Sequence, residues 1–101
     1  MPVRALASVP AAEVISRAAV TLISAAGDKL GLAPGEEPDI DIDDARNLIT
    51  ALAGLLAASQ GNLGERWQPL HDGLRTLQRA FREAAARPDA AGEGPGEHLL
   101  A

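Results

Sequence analysis

The chain has 101 residues, is 47% hydrophobic and carries a net charge of -5, which fits one small globular domain. It contains no cysteine, which excludes a disulfide scaffold, a thiol nucleophile and any metal site built on thiolates. The acidic balance has the wrong sign for nonspecific attraction to nucleic acid or to an anionic membrane, so any such contact must be local.

Residues 1 to 8 are expected to form a loose arm. Ser8 and Pro10 then suit a helix start, one as a cap hydroxyl and the other as a first-turn residue. Ile15, Ala19, Leu22, Ile23, Ala26 and Leu30 recur at helical spacing, with Glu13, Arg17, Thr21, Ser24 and Asp28 opposite. The spacing predicts a first helix over about residues 9–31, ending near Gly31. The following segment holds Pro34, Gly35 and Pro38 and is a connecting loop.

A second helix is predicted over about residues 41–60, with Asp43 and Asp44 in its first turn, where carboxylates favour the positive end of the helix dipole. Ile42, Leu48, Ile49, Leu52, Leu55 and Leu56 make one broad apolar face. Asn47, Ala51, Gly54 and Ala58 make a small-residue stripe on the other side, so this helix is expected to be central and covered on both faces. Gly61 and Asn62 supply a stop and turn. Leu63, Trp67, Leu70, Leu74, Leu77, Phe81 and Ala84 then follow at alternating steps of four and three, predicting a third helix over about residues 66–87. Pro69 lies early in it, so an irregular turn is expected beforehand. The tail, residues 88–101, is acidic and rich in Gly and Pro, and disorder is its expected state in isolation.

These elements predict an all-α, three-helix domain over residues 9–87, in which the second and third helices form an antiparallel hairpin and the first packs across the second. Its expected core is Ile15, Leu22, Ile23, Ile42, Leu48, Ile49, Leu52, Leu56, Trp67, Leu70, Leu74, Leu77 and Phe81. With 21 alanines, one Trp and one Phe, little bulky material is left for an extensive core. Because the second helix is apolar on two sides and only two other helices exist to cover it, a homodimer with the second or third helix at the interface is expected.

No constellation in the sequence carries catalytic chemistry. The acids Glu36, Glu37, Asp39, Asp41, Asp43 and Asp44 imitate a calcium loop, but Asp44 stands where the turn glycine belongs and Thr50 where the bidentate acid belongs. A helix start preceded by a solvated loop accounts for them, so no metal and no cofactor is expected. His71 and His98 have no orienting acid and nucleophile at a suitable spacing. Arg75, Arg79 and Arg82 share one helical stripe and form a candidate strip for an acidic partner or for phosphate. Asp72 and Glu83 stand at pairing distance along the helix and compete for those arginines, as does the acidic loop.

The run Asp41, Ile42, Ala45, Arg46, Leu48 and Ile49, followed by Gly61, Asn62, Leu63 and a leucine-rich helix, resembles the bacterial DUF1844 family, a domain of unknown function. The resemblance covers about residues 11–87. In the actinobacterial branch it extends through Pro69, Leu70, Asp72, Gly73, Leu74, Arg75, Leu77, Gln78, Ala80, Phe81, Arg82, Glu83 and Ala84 into Pro88, Asp89, Gly92, Glu93, Gly94, Pro95, Gly96 and Glu97. Where other members place Lys before the Gly-Asn-Leu turn and Thr after it, this chain has Gln60 and Gly64, so the usual threonine cap is missing. The resemblance implies a small helical protein and no established activity. A Gly-Pro-rich end of definite sequence suits docking on a surface, which adds Pro88, Asp89, Gly92, Glu93, Gly94, Pro95 and Gly96 to the arginines as candidate partner-binding residues.

The functional expectation is a non-enzymatic, cytoplasmic protein-interaction module. The alternative is a nucleic-acid or ribosome-associated factor that uses the arginine stripe for phosphate contacts.

Overall fold

A computed structural model describes residues 8–32 and 40–100 of the chain. Three α-helices follow in order: α1 Ala11–Lys29, α2 Ile42–Ser59 and α3 Trp67–Ala84, with a 3-10 turn Gly64–Arg66 before α3. No strand occurs among the described residues. Residues 1–7 of the expected arm and the loop residues Pro34, Gly35, Glu36, Glu37, Pro38 and Asp39 lie outside them.

The ends of the helices follow local chemistry. At the start of α1 the capping position is held by Pro10, without a side-chain bond, rather than by Ser8. The Pro10 carbonyl accepts from the Glu13 and Val14 amides at 3.0 and 3.3 Å, so the first turn is supplied from the backbone. At the other end Gly31 takes φ 74°, a left-handed conformation that glycine enters without a Cβ penalty. The Gly31 and Leu32 amides then return to the Asp28 and Gly27 carbonyls at 3.1 and 2.9 Å, closing the helix with a Schellman motif. Helix α2 is capped by the Asp41 carboxylate, which accepts from the Asp44 amide at 3.0 Å. The Asp41 amide donates to the Lys29 carbonyl at 2.9 Å and Lys29 pairs with Asp44 at 3.2 Å, which ties the end of α1 to the start of α2.

Helix α1 packs against both of the other helices, more extensively against α2 than α3. The deepest side chains are Ile49, Leu52 and Leu56 from α2 and Leu74 and Phe81 from α3. From α1 the wholly buried residues are Ala19 and Ala26, while Ile15, Leu22 and Ile23, expected in the core, are partly buried around its edge. Small residues at the centre of α1 allow its backbone to approach closely, with the larger ones filling the flanks. Ile42, Leu48 and Trp67 are likewise rim residues. The Trp67 indole N–H donates to the Leu56 carbonyl at 3.0 Å, so the ring both packs and fastens the α2/α3 turn. Pro69 sits in the first turn of α3, where an N–H has no intrahelical acceptor.

Within the single chain the small stripe of α2 is largely open: Asn47, Ala51 and Ala58 are exposed, and Leu99 of the tail reaches the neighbourhood of Gly54. In the tail Gly94, Pro95 and Gly96 are buried, all three of their carbonyls accept hydrogen bonds and the Gly94 amide donates to Glu97. Four hydrogen-bonded turns fold it on itself, from Glu93 to Ala90, Glu97 to Gly94, and Leu99 and Leu100 to Gly96, each at 2.8–3.0 Å. The docking of the tail uses backbone groups, glycine and the Asp89 and Glu97 carboxylates, together with Leu100, which packs against the core.

Candidate functional site

Helical spacing places Arg75, Gln78, Arg79 and Arg82 along one side of α3. Together with Glu97 of the tail they line an open cleft of about 250 Å³. Their burial differs sharply: Arg75 and Arg79 are exposed, Arg82 is half-buried, and Gln78 is buried at 7% exposure.

A buried amide requires partners, because an unsatisfied one costs about 1–3 kcal/mol. Gln78 finds them in the tail. Its Nε2 donates to the Pro95 carbonyl at 3.2 Å and the Leu100 carbonyl at 3.1 Å. Arg82 forms a second anchor, with Nη1 donating to the Asp89 carbonyl at 2.6 Å and Nη2 lying 3.4 Å from Glu97 Oε1. The other carboxylate oxygen of Glu97 accepts from the Gly94 amide at 3.0 Å. Arg46 of α2 supplies the third anchor. Its Nη2 reaches both oxygens of Asp89 at 3.2 and 3.1 Å, while its guanidinium carbon lies 4.8 Å from the centre of the Phe81 ring, a cation–π arrangement.

Gly96 marks the closest approach of tail and helix. It takes φ 71°, and a Cβ built there would stand 2.5 Å from Ala53 Cβ and 3.4 Å from the Ile49 carbonyl. Only glycine satisfies both conditions. The tail thus lies against α2 and α3, and the sequence-predicted residues divide. Asp89, Gly94, Pro95 and Gly96 face the helices, whereas Pro88, Gly92 and Glu93 are exposed.

The arginine stripe is not neutralised along its own helix. Among the described residues neither Arg75 nor Arg79 forms an ion pair. Asp72, expected to pair with Arg75, instead accepts from Gln68 Nε2 at 2.9 Å. Of the acidic loop, Asp41 caps α2 and Asp44 pairs with Lys29, so neither meets the stripe. Glu36, Glu37 and Asp39 lie outside the described residues.

His71 stacks on Trp67, ring centres 4.6 Å apart and planes 11° from parallel, and so belongs to the hairpin turn. His98 is exposed in the tail. Among the described residues no three His, Asp or Glu side chains converge as metal ligands, and no helix is long and apolar enough to cross a membrane. A second, more open depression lies beside Glu13, Arg17, Val20 and Arg66, where Arg17 pairs with Glu13 at 2.7 Å.

Sequence reasoning assigned no role to Gln78, Arg46 or Glu97. For Gln78 a signal existed: it lies beside Leu74, Leu77 and Phe81 on the apolar seam, where a lone amide must be buried with partners. Arg46 and Glu97 gave no such local sign, because their contacts join segments 43 and 15 residues apart.

Comparison with known proteins gives one family. Residues 11–83 match the model described as "Domain of unknown function (DUF1844)", so the match spans all three helices and stops short of the tail. No curated protein and no solved structure matches the chain.

Proposed function

The chain belongs to the DUF1844 family, a domain of unknown function, and on that premise we propose from its own surface that it is a non-enzymatic, cytoplasmic protein-interaction module acting as a homodimer. The partner-facing surface is the side of α3 that bears Arg75 and Arg79, completed by the docked tail. One observation carries this reading: two exposed guanidinium groups, without ion pairs among the described residues, border a cleft on a chain whose net charge is -5. A local cationic spot on an acidic protein selects for a partner with a few well-placed acids.

Dimerisation is supported by the outer side of α2. Asn47, Ala51 and Ala58 are exposed there, and Leu99 adds an apolar side chain that is 44% exposed. Small side chains permit two helices to pack at close interaxial distance, so a second copy of α2 is the favoured occupant. Light scattering at micromolar concentration is expected to give twice the chain mass, and Ala51→Arg to return one chain mass with unchanged helical circular dichroism. A native protein that remains a single chain under those conditions refutes the dimer.

The nucleic-acid alternative leaves Arg75 and Arg79 as its principal contacts, since Arg82 is engaged by the tail. Two phosphate contacts give a shallow salt slope, about -2 on logarithmic axes, against the repulsion of the whole acidic chain. Measurable binding to duplex DNA with a slope near about -2 that is lost in R75Q/R79Q would favour that alternative, and no binding would count against it.

A further inference from the structure

Among the described residues the Glu97 carboxylate is the one anionic group lining the arginine cleft, and its placement is that of an imperfect ligand. It is held from behind by the Gly94 amide at 3.0 Å and shows only 16% side-chain exposure. Toward the cleft it offers Arg82 a contact of 3.4 Å, well beyond the roughly 2.7–2.9 Å of a strong charge-assisted hydrogen bond. It forms no ion pair with Arg75 or Arg79. Three guanidinium groups therefore share the cleft with a carboxylate that engages one of them weakly.

From this we infer that the cleft is a carboxylate-binding site for an acidic peptide segment of a partner protein, and that Glu97 is a built-in competitor which the peptide displaces from Arg82. The inference rests on the interaction-module reading above and specifies its partner. A guanidinium fork recognises a carboxylate through two parallel N–H donors, and Arg75 and Arg79 have these donors to give. Displacement at Arg82 leaves the rest of the tail in place, because Nη1 stays on the Asp89 carbonyl and Gln78 keeps the Pro95 and Leu100 carbonyls. A peptide carrying two or three acids suits this cleft better than a nucleic acid, whose continuous phosphates meet the net charge of -5 over a longer contact.

Fluorescein-labelled hexaglutamate, titrated against the full chain and followed by anisotropy, tests the assignment, with oligothymidylate of six phosphates as the rival ligand. The substitution E97Q removes the competing charge while leaving an oxygen to accept from the Gly94 amide, so the tail stays docked. The expected results are tighter hexaglutamate binding by E97Q, about threefold to tenfold, and weakening of about tenfold or more in R75Q/R79Q. Oligothymidylate is expected to bind at least about tenfold more weakly than hexaglutamate. Unchanged or weakened affinity in E97Q overturns the competitor role while the arginine face remains a docking surface. Unchanged affinity in R75Q/R79Q, or no hexaglutamate binding by the native chain, overturns the acidic-peptide site. Tighter binding of oligothymidylate assigns the face to nucleic acid and overturns both the inference and the protein-partner reading.

Discussion

Gln78 and Gly96 hold the tail by opposite means, one by supplying donors and the other by lacking a side chain. Replacing Gln78 by leucine leaves the Pro95 and Leu100 carbonyls without their donor, and about 1–2 kcal/mol of stability is expected to be lost. Gly96→Ala meets Ala53 and a left-handed φ at once, with a cost of about 1–2 kcal/mol. Because both changes release the same segment, the double variant should be no worse than the more damaging single one, which is the failure of additivity expected of coupled residues. Urea midpoints check the magnitudes, and faster hydrogen exchange at the Leu99 and Leu100 amides checks the mechanism. Fully additive losses would show that the two residues act on separate structures. Neither role is stated by composition, since a Gly-Pro tail reads the same whether its glycines are slack or required by a close approach.

The helices themselves were legible because each repeats an apolar spacing with a period near 3.6 residues, and stop signals such as Gly31 and Asn62 fall where the structure ends or turns them. What the pattern did not rank is depth. Ala19 and Ala26 lie deeper than Ile15 and Leu22, because closeness of backbone approach depends on the neighbouring helix and not on the hydrophobicity of one residue. The same distinction separates two helical glycines. Gly27 in α1 has nothing within 4 Å of an added Cβ, whereas at Gly73 in α3 it would stand 3.0 Å from Ile23 Cδ1. Gly27→Ala is accordingly expected to stabilise by about 0.5–1 kcal/mol from helix propensity alone, and Gly73→Ala by less than half as much, since the Ile23 tip must move. Thermal melts of the two variants side by side test the difference, and an equal gain at both sites would show that the α1/α3 contact is loose.

At the level of the molecule, a three-helix domain with one Phe and one Trp is short of large side chains, and the tail supplies part of the missing cover over α2 and α3. Deleting residues 88–101 should therefore leave the helices formed but lower stability by about 2 kcal/mol, as the hydrogen bonds at Gln78, Arg82 and Arg46 are lost. Unaltered urea and thermal midpoints in the truncated chain would mean that the tail contributes nothing to the fold. Of the candidate site, the arginines could be read from the sequence and the carboxylate that shares their cleft could not, because Glu97 arrives from another segment. The anchoring of Trp67 adds a spectroscopic consequence. It is the chain's single indole, bonded to the Leu56 carbonyl and stacked on His71 at the hairpin turn, away from the tail's contacts with Gln78 and Ala53. Its fluorescence is a one-source reporter of hairpin opening, so release of the tail should be silent in emission and visible only in amide exchange, giving each event its own signal.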